Sequence, residues 1–268
     1  MQHQVDRRAF LAGSLASATT LGAAGAIEVQ AAESKSTQEF YELRHYGVKT
    51  AEQKKIVSNF LQKALLPAFS RMGIDRIGVF ESLDKEDDQS IFVLIPFSTL
   101  QAFSDVIPRL AEDADYQKNA QELFSQSVKS PAYSRINSKF MKAFSGMPVV
   151  EMPAQSKAGK PRIFELRTYE SHNADTAVRK VDMFNSGEID IMRDVKMAPV
   201  FFGETLIGDD VPNLTYMLSA SDMDAHKEHW KGFLSHPEWD RMKKIPKYKG
   251  TVSKIRNWFL RPTEYSQI

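Results

Sequence analysis

The chain of 268 residues contains no cysteine, which excludes disulfides, zinc–thiolate sites, iron–sulfur clusters and a cysteine nucleophile. It has almost no excess charge. Its 35 Lys and Arg against 34 Asp and Glu give no global attraction to nucleic acid or to an anionic membrane. It has no Walker loop, no Gly-x-Gly-x-x-Gly after a strand and no Gly-x-Ser-x-Gly elbow. Nucleotide hydrolases, dinucleotide-dependent dehydrogenases and α/β-hydrolases are therefore disfavoured. Beyond Glu28 no apolar run approaches the roughly 20 residues of a membrane span.

The amino-terminal segment differs from the rest. Asp6-Arg7-Arg8-Ala9-Phe10-Leu11 opens an uncharged, small-residue run from Ala9 to Ile27. Twin arginines, a mild apolar segment and the A-x-A-like site Val29-Gln30-Ala31 are features of a twin-arginine (Tat) export signal. Residues 1–31 are expected to be a leader, and the mature chain to reside in the periplasm or elsewhere outside the cytoplasmic membrane. The Ala, Gly, Ser and Thr content makes the run marginal as a retained anchor, so the mature chain is expected not to span the membrane.

An internal repeat dominates the remainder. Phe40-Tyr41-Glu42-Leu43-Arg44-His45-Tyr46 returns 123 residues later as Ile163-Phe164-Glu165-Leu166-Arg167-Thr168-Tyr169. The same offset carries Ser98 onto Ser221 and Tyr116 onto Trp239. Two diverged copies of about 100 residues each are expected, over 38–144 and 162–262. The Pro- and Gly-containing segment 145–161 reads as the linker between them.

Each copy reads as strand, helix, strand, strand, helix, strand. The first helix is expected over Thr50–Met72, with Val57, Phe60, Leu61, Ala64, Leu65, Ala68 and Phe69 on its apolar stripe. Its counterpart is expected over Asp175–Asp194, with Val178, Val181, Phe184, Ile189 and Met192. Strands are expected at Ile74–Glu81, Ile91–Ile95 and Tyr133–Phe144, then at Pro199–Thr205, Leu214–Leu218 and Val252–Leu260. Ser98 and Ser221 look like the hydroxyls of capping boxes that start the second helices. The order βαββαβ predicts an α+β fold of two tandem ferredoxin-like modules. Each sheet then has one bare face, and the two modules can cover each other sheet to sheet, as a barrel.

Strand alternation divides the repeated motif. Tyr41, Leu43 and His45 fall on one face, expected to meet the helices. Glu42, Arg44 and Tyr46, with Glu165, Arg167 and Tyr169, fall on the other. A carboxylate, a guanidinium and a phenol there could bind a polar ligand or serve acid–base chemistry. Equally, they could be buried pairs that fix how the two sheets dock, and docking ranks first. His226 and His229, three apart on the second helix of copy two, replace Phe103 and Val106. They do not match the His-Glu-x-x-His spacing of zinc hydrolases, so no metal site is assigned and packing is favoured. Trp230 and Trp239 are accessory candidates for a pocket, with core packing the simpler account. The basic run Arg241–Lys249 reads as a solvated surface.

The paired Glu-Leu-Arg-x-Tyr strands and Trp230-x-x-Phe233-x-x-x-Pro237-Glu238-Trp239 resemble the NIPSNAP family over roughly the whole mature chain. The resemblance implies the dimeric α/β-barrel, ferredoxin-like superfamily, which also includes small monooxygenases, haem-degrading enzymes and isomerases. A Tat-like leader departs from the animal members, which are mitochondrial, so their roles are not carried over. Three functions follow in order: a binding or interaction module of the bacterial envelope, a cofactor-independent monooxygenase or isomerase, and a haem or metal carrier. No residue pattern decides for or against an enzyme, and none indicates a cofactor. Candidate partners are a small-molecule ligand, a protein and a second copy of the chain, with nucleic acid excluded.

Overall fold

The computed structural model describes residues 38–84 and 88–268. The expected leader, residues 1–31, lies outside them. Among the described residues no helix is long and apolar enough to cross a membrane.

The first half contains β1 (Phe40–Gly47), α1 (Ala51–Phe60) and α2 (Leu66–Arg71), then β2 (Gly78–Ser82) and β3 (Ile91–Phe97). Four short helices follow: α3 (Leu100–Ser104), α4 (Val106–Glu112), α5 (Ala114–Asn119) and α6 (Gln121–Phe124). Strand β4 (Arg135–Ala143) closes that half. After α7 (Ala154–Lys157), the second half repeats the plan. It has β5 (Ile163–Glu170), α8 (Ala174–Met183), α9 (Ile189–Asp194), β6 (Pro199–Ile207), β7 (Asn213–Ala220), α10 (Met223–Ser235), α11 (Pro237–Met242) and β8 (Lys254–Pro262).

The eight strands form one closed barrel in the order β1-β3-β2-β8-β5-β7-β6-β4. Within each half the outer strands flank a central pair, as the βαββαβ order requires. The halves join at two antiparallel seams. One pairs Phe80 with Pro262 and Ser82 with Leu260. The other pairs Met141 with Thr205 and Ala143 with Gly203, beside a bulge. Closure leaves no free sheet edge. An eight-stranded barrel is just wide enough inside for side chains to fill. Tyr41, Phe80, Phe164, Phe201, Met217 and Leu260 fill most of this one.

Three apolar cores result: the lumen, and one layer between helices and barrel in each half. This reverses the expected facing of β1 and β5. Tyr41 and Leu43 point into the lumen, and Tyr46 packs under the helices with Val57 and Phe60. His45 also leaves the helix side: it stacks on Phe92, a lumen residue, with ring centroids 4.4 Å apart. Alternation correctly separates two sets of side chains. It does not say which set meets the helices, because a closed barrel buries both faces.

Each first helix passes through one π-helical turn, at Leu61–Leu65 and at Phe184–Glu188, the same place in the repeat. In the second copy Gly187 takes φ 143° there, and a Cβ would come within 2.9 Å of Met242 Cε. The apolar stripe expected for this helix is corrected in part. Val178 is 61% exposed, whereas Lys180 is only 4% exposed and buried beside Ala177 and Met183. The second helices also begin one residue later than expected. Thr99 Oγ1 caps Ala102 N at 3.0 Å, and Asp222 Oδ1 caps Ala225 N at 2.8 Å, displacing Ser98 and Ser221 from that role.

Candidate functional site

The repeated Glu-x-Arg pair lies between barrel and helices in both halves. In β1, Glu42 accepts from Arg44 Nε at 2.7 Å and Nη2 at 2.8 Å, and from Ser138 Oγ of β4 at 2.7 Å. Burial works against the Arg44 cation, but the hydrogen bond and charge of Glu42 outweigh it and raise its pKa. Tyr46 is buried edge-on to Tyr133, and burial raises its pKa.

In β5, Glu165 collects donors from three elements. Arg167 Nη1 lies at 2.5 Å, His226 Nε2 and Trp230 Nε1 of α10 at 2.8 Å each, and Asn257 Nδ2 of β8 at 3.3 Å. Burial favours the neutral acid. The His226 hydrogen bond, the Arg167 charge and the Trp230 hydrogen bond outweigh it, and hold the carboxyl below the ordinary range. Arg167 also lies over the Trp230 ring, 4.5 Å from its centroid. Tyr216 donates to Tyr169 at 2.8 Å. With these contacts the carboxylates of Glu42 and Glu165 have no unpaired position facing open space. The Glu165 network docks helix to sheet, whereas Glu42 is satisfied within its own sheet, and neither docks sheet to sheet.

Of the remaining candidates, His226 joins this network and His229 does not. His229 is half-buried, and burial first, then the nearby His226, lowers its pKa. Trp239 packs against Phe233 at 4.7 Å. Beneath it lies a pair that the sequence reading missed. Lys180 Nζ is 2.7 Å from Glu188 Oε2, both groups being buried. Burial pushes the Glu188 carboxyl up against the pull of Lys180. At the repeat offset these two replace Val57 and Leu65, a substitution that was legible in the sequence. Among the described residues no three His, Asp or Glu side chains converge as a metal-holding group.

The lumen provides a different kind of site. At one end it narrows to a cavity of about 130 Å³ that opens past the exposed residues Asn137 and Asp209. Its walls come from equivalent positions of the two halves. Leu43 and Leu166 are repeat partners, as are His45 and Thr168. Leu43 is paired with Lys139 in β4, and Leu166 with Trp258 in β8. His45 is paired with Asn137, and Thr168 with Arg256. One half therefore contributes His45, Asn137 and Lys139 where the other contributes Thr168, Arg256 and Trp258.

Lys139 is the unusual member of this set. Its Nζ lies 3.2 Å from Thr215 Oγ1 and 3.5 Å from Thr168 Oγ1, and those hydroxyls are 2.9 Å apart. Among the described residues no carboxylate comes within 4.0 Å of it. Burial, then the Arg256 charge, lowers its pKa to about 8. Burial likewise lowers His45. Sequence reasoning passed over Lys139, although it alternates with Met141 and Ala143 on one face of β4.

A family model described as NIPSNAP matches twice, over residues 41–145 and 164–267. The chain belongs to the NIPSNAP family. No curated protein matches it in sequence. The solved structures it resembles include a proposed monooxygenase from Lactobacillus acidophilus NCFM. That likeness has 11% identity and a TM-score of 0.56, over 84% of this chain and 94% of that one. Another is a proposed monooxygenase from Fusobacterium nucleatum, with 9% identity and a TM-score of 0.54, over 84% and 92%. A NIPSNAP-like domain protein from Burkholderia xenovorans has 21% identity and a TM-score of 0.36, over 39% of this chain and 88% of that one. At these identities the two barrel-length likenesses establish fold alone. They agree with the tandem barrel of this NIPSNAP protein, in which one chain provides both modules.

Proposed function

We propose that this NIPSNAP protein is an exported binding module for one small, oxygen-bearing molecule held at the polar end of the barrel. The observation that carries this reading is the cavity of about 130 Å³, lined by groups from both halves and left open at its rim. A dry engineered cavity of about 150 Å³ accommodates benzene, so a ligand of comparable size fits. Phe92 and Trp258 offer apolar walls, and Lys139 and Asn137 offer donors for a carbonyl or carboxylate oxygen. The enzyme reading built on Glu165, Arg167 and Tyr169 loses support, because those groups face helices, Glu165 being held by Arg167 and Trp230 and Tyr169 by Tyr216. A porphyrin is several times larger than this cavity, which weighs against a haem carrier.

The test is ligand-observed NMR with small carboxylates, amides and aldehydes on the purified chain. Binding is expected in the wild type and lost in Asn137→Trp, which plugs the rim from an exposed position. Uniform absence of binding, or binding that survives the plug, would overturn the proposal. Export is tested separately. Replacing Arg7 and Arg8 by lysine is expected to leave the protein in the cytoplasm of a Tat-competent bacterium, and unchanged export would remove that part of the reading.

A further inference from the structure

We infer that Lys139 is a reacting amine that captures a small aldehyde or ketone in the lumen as an imine. The inference rests on the lumen-binding reading above and adds a covalent step to it. Lys139 is half-buried, and a lysine withdrawn from water is ordinarily paired with a carboxylate. Lys139 instead ends on two hydroxyls, Thr215 and Thr168, with its amine at the cavity wall.

The charged groups around it do not supply the missing partner. Arg256 of β8 holds Asp210 at 2.6 Å and Glu170 at 2.9 Å, so those carboxylates are spent on the guanidinium. Asp209, in the turn before β7, is exposed. His45 of β1 lies on the same wall and is disfavoured as a cation by burial. The environment therefore raises the share of neutral amine near neutral pH well above that of an ordinary lysine, and the neutral form is the one that attacks carbonyl carbon. With no cysteine in the chain, no thiol competes for the electrophile.

The step balances without a redox partner. The Lys139 nitrogen adds to the carbonyl carbon, the carbonyl π pair moves to oxygen, and one nitrogen proton passes to that oxygen. The resulting carbinolamine loses its hydroxyl, with a second nitrogen proton, as water. A C=N bond to the lysine remains, and hydrolysis reverses it.

The experiment treats the full chain with propanal and sodium cyanoborohydride at several pH values, then maps propylated lysines by peptide mass spectrometry. A lysine near pKa 8 carries far more free amine at pH 7 than an ordinary one, and loses part of that gain in nucleophilicity. Lys139 is therefore expected to react about 10-fold faster than exposed lysines such as Lys231. Its rate is expected to rise through a midpoint near pH 8, and Asn137→Trp is expected to abolish the selectivity. Labelling of Lys139 no faster than the surface lysines would overturn the inference. If small carboxylates still bind by NMR in that case, the lumen reading stands and only the imine falls. If they do not, both fall.

Discussion

In the first half Glu42 is satisfied within the sheet, by Arg44 two residues along and by Ser138 on the next strand. In the second half Glu165 also takes donors from a helix, His226 and Trp230 of α10. At the repeat offset those positions in the first half are Phe103 and Ile107. Phe103 packs edge-on against Phe97 and tilted against Phe140 instead, and Ile107 faces solvent. The same divergence recurs deeper, where Val57 and Leu65 give way to Lys180 and Glu188. The buried layer of the second half holds its polar residues in mutually satisfying sets. A single charge there would carry an unrepaid desolvation cost. The order of strands and the place of the π turn stayed the same, although Gly187 kinks the second-half turn.

Swapping residues between the halves tests this account most severely at the Lys180–Glu188 pair. Glu188→Leu alone strands a buried ammonium and should cost about 3–5 kcal/mol in denaturant unfolding. Adding Lys180→Val installs the first-half pair and should recover that loss, or exceed wild type by up to about 1–4 kcal/mol. A double variant no better than the single would show that packing, and not charge, separates the halves.

The carboxylates should differ next. Glu165→Gln should cost about 3 kcal/mol and Glu42→Gln about half of that, since Glu165 serves donors on three elements. Equal losses would erase the contrast. The Glu165 contribution also has a pH signature. Its folded pKa is depressed, so the stabilisation is complete above the ordinary carboxylate value and is lost as pH falls through the lower folded value. Glu165→Gln should flatten the acid limb of the stability profile, measured as unfolding midpoints from pH 7 downwards.

In the lumen the counterpart contrast is Lys139 against Trp258. The folded pKa of Lys139 lies below its unfolded value, so its burial destabilises fully below pH 8, and the penalty lifts as pH rises toward 10.5. Lys139→Met should therefore gain about 1–2 kcal/mol at pH 7 and lose that advantage above pH 10. A gain that is flat with pH would mean that folding leaves the Lys139 pKa unshifted. The smallest effect is expected for His226→Phe, which restores the first-half residue and removes one of several donors to Glu165. A loss of about 1 kcal/mol is expected, and a loss as large as that of Glu165→Gln would make His226 the centre of the network.

The repeat, the βαββαβ order and the boundaries of most elements were legible in the residues, because hydrophobic period and register are local properties. The pairing of Glu with Arg was legible too, since two residues apart on a strand they share a face. The side of the sheet they occupy was decided by closure of the barrel. Both faces become interior, so polarity no longer marks the helix side. The Glu165 cluster joins residues 61 and 65 positions apart, and the lumen site joins β1, β4, β5 and β8. No local pattern carries those distances. The amine of Lys139 becomes unusual only where two hydroxyls, and no carboxylate, are folded against it.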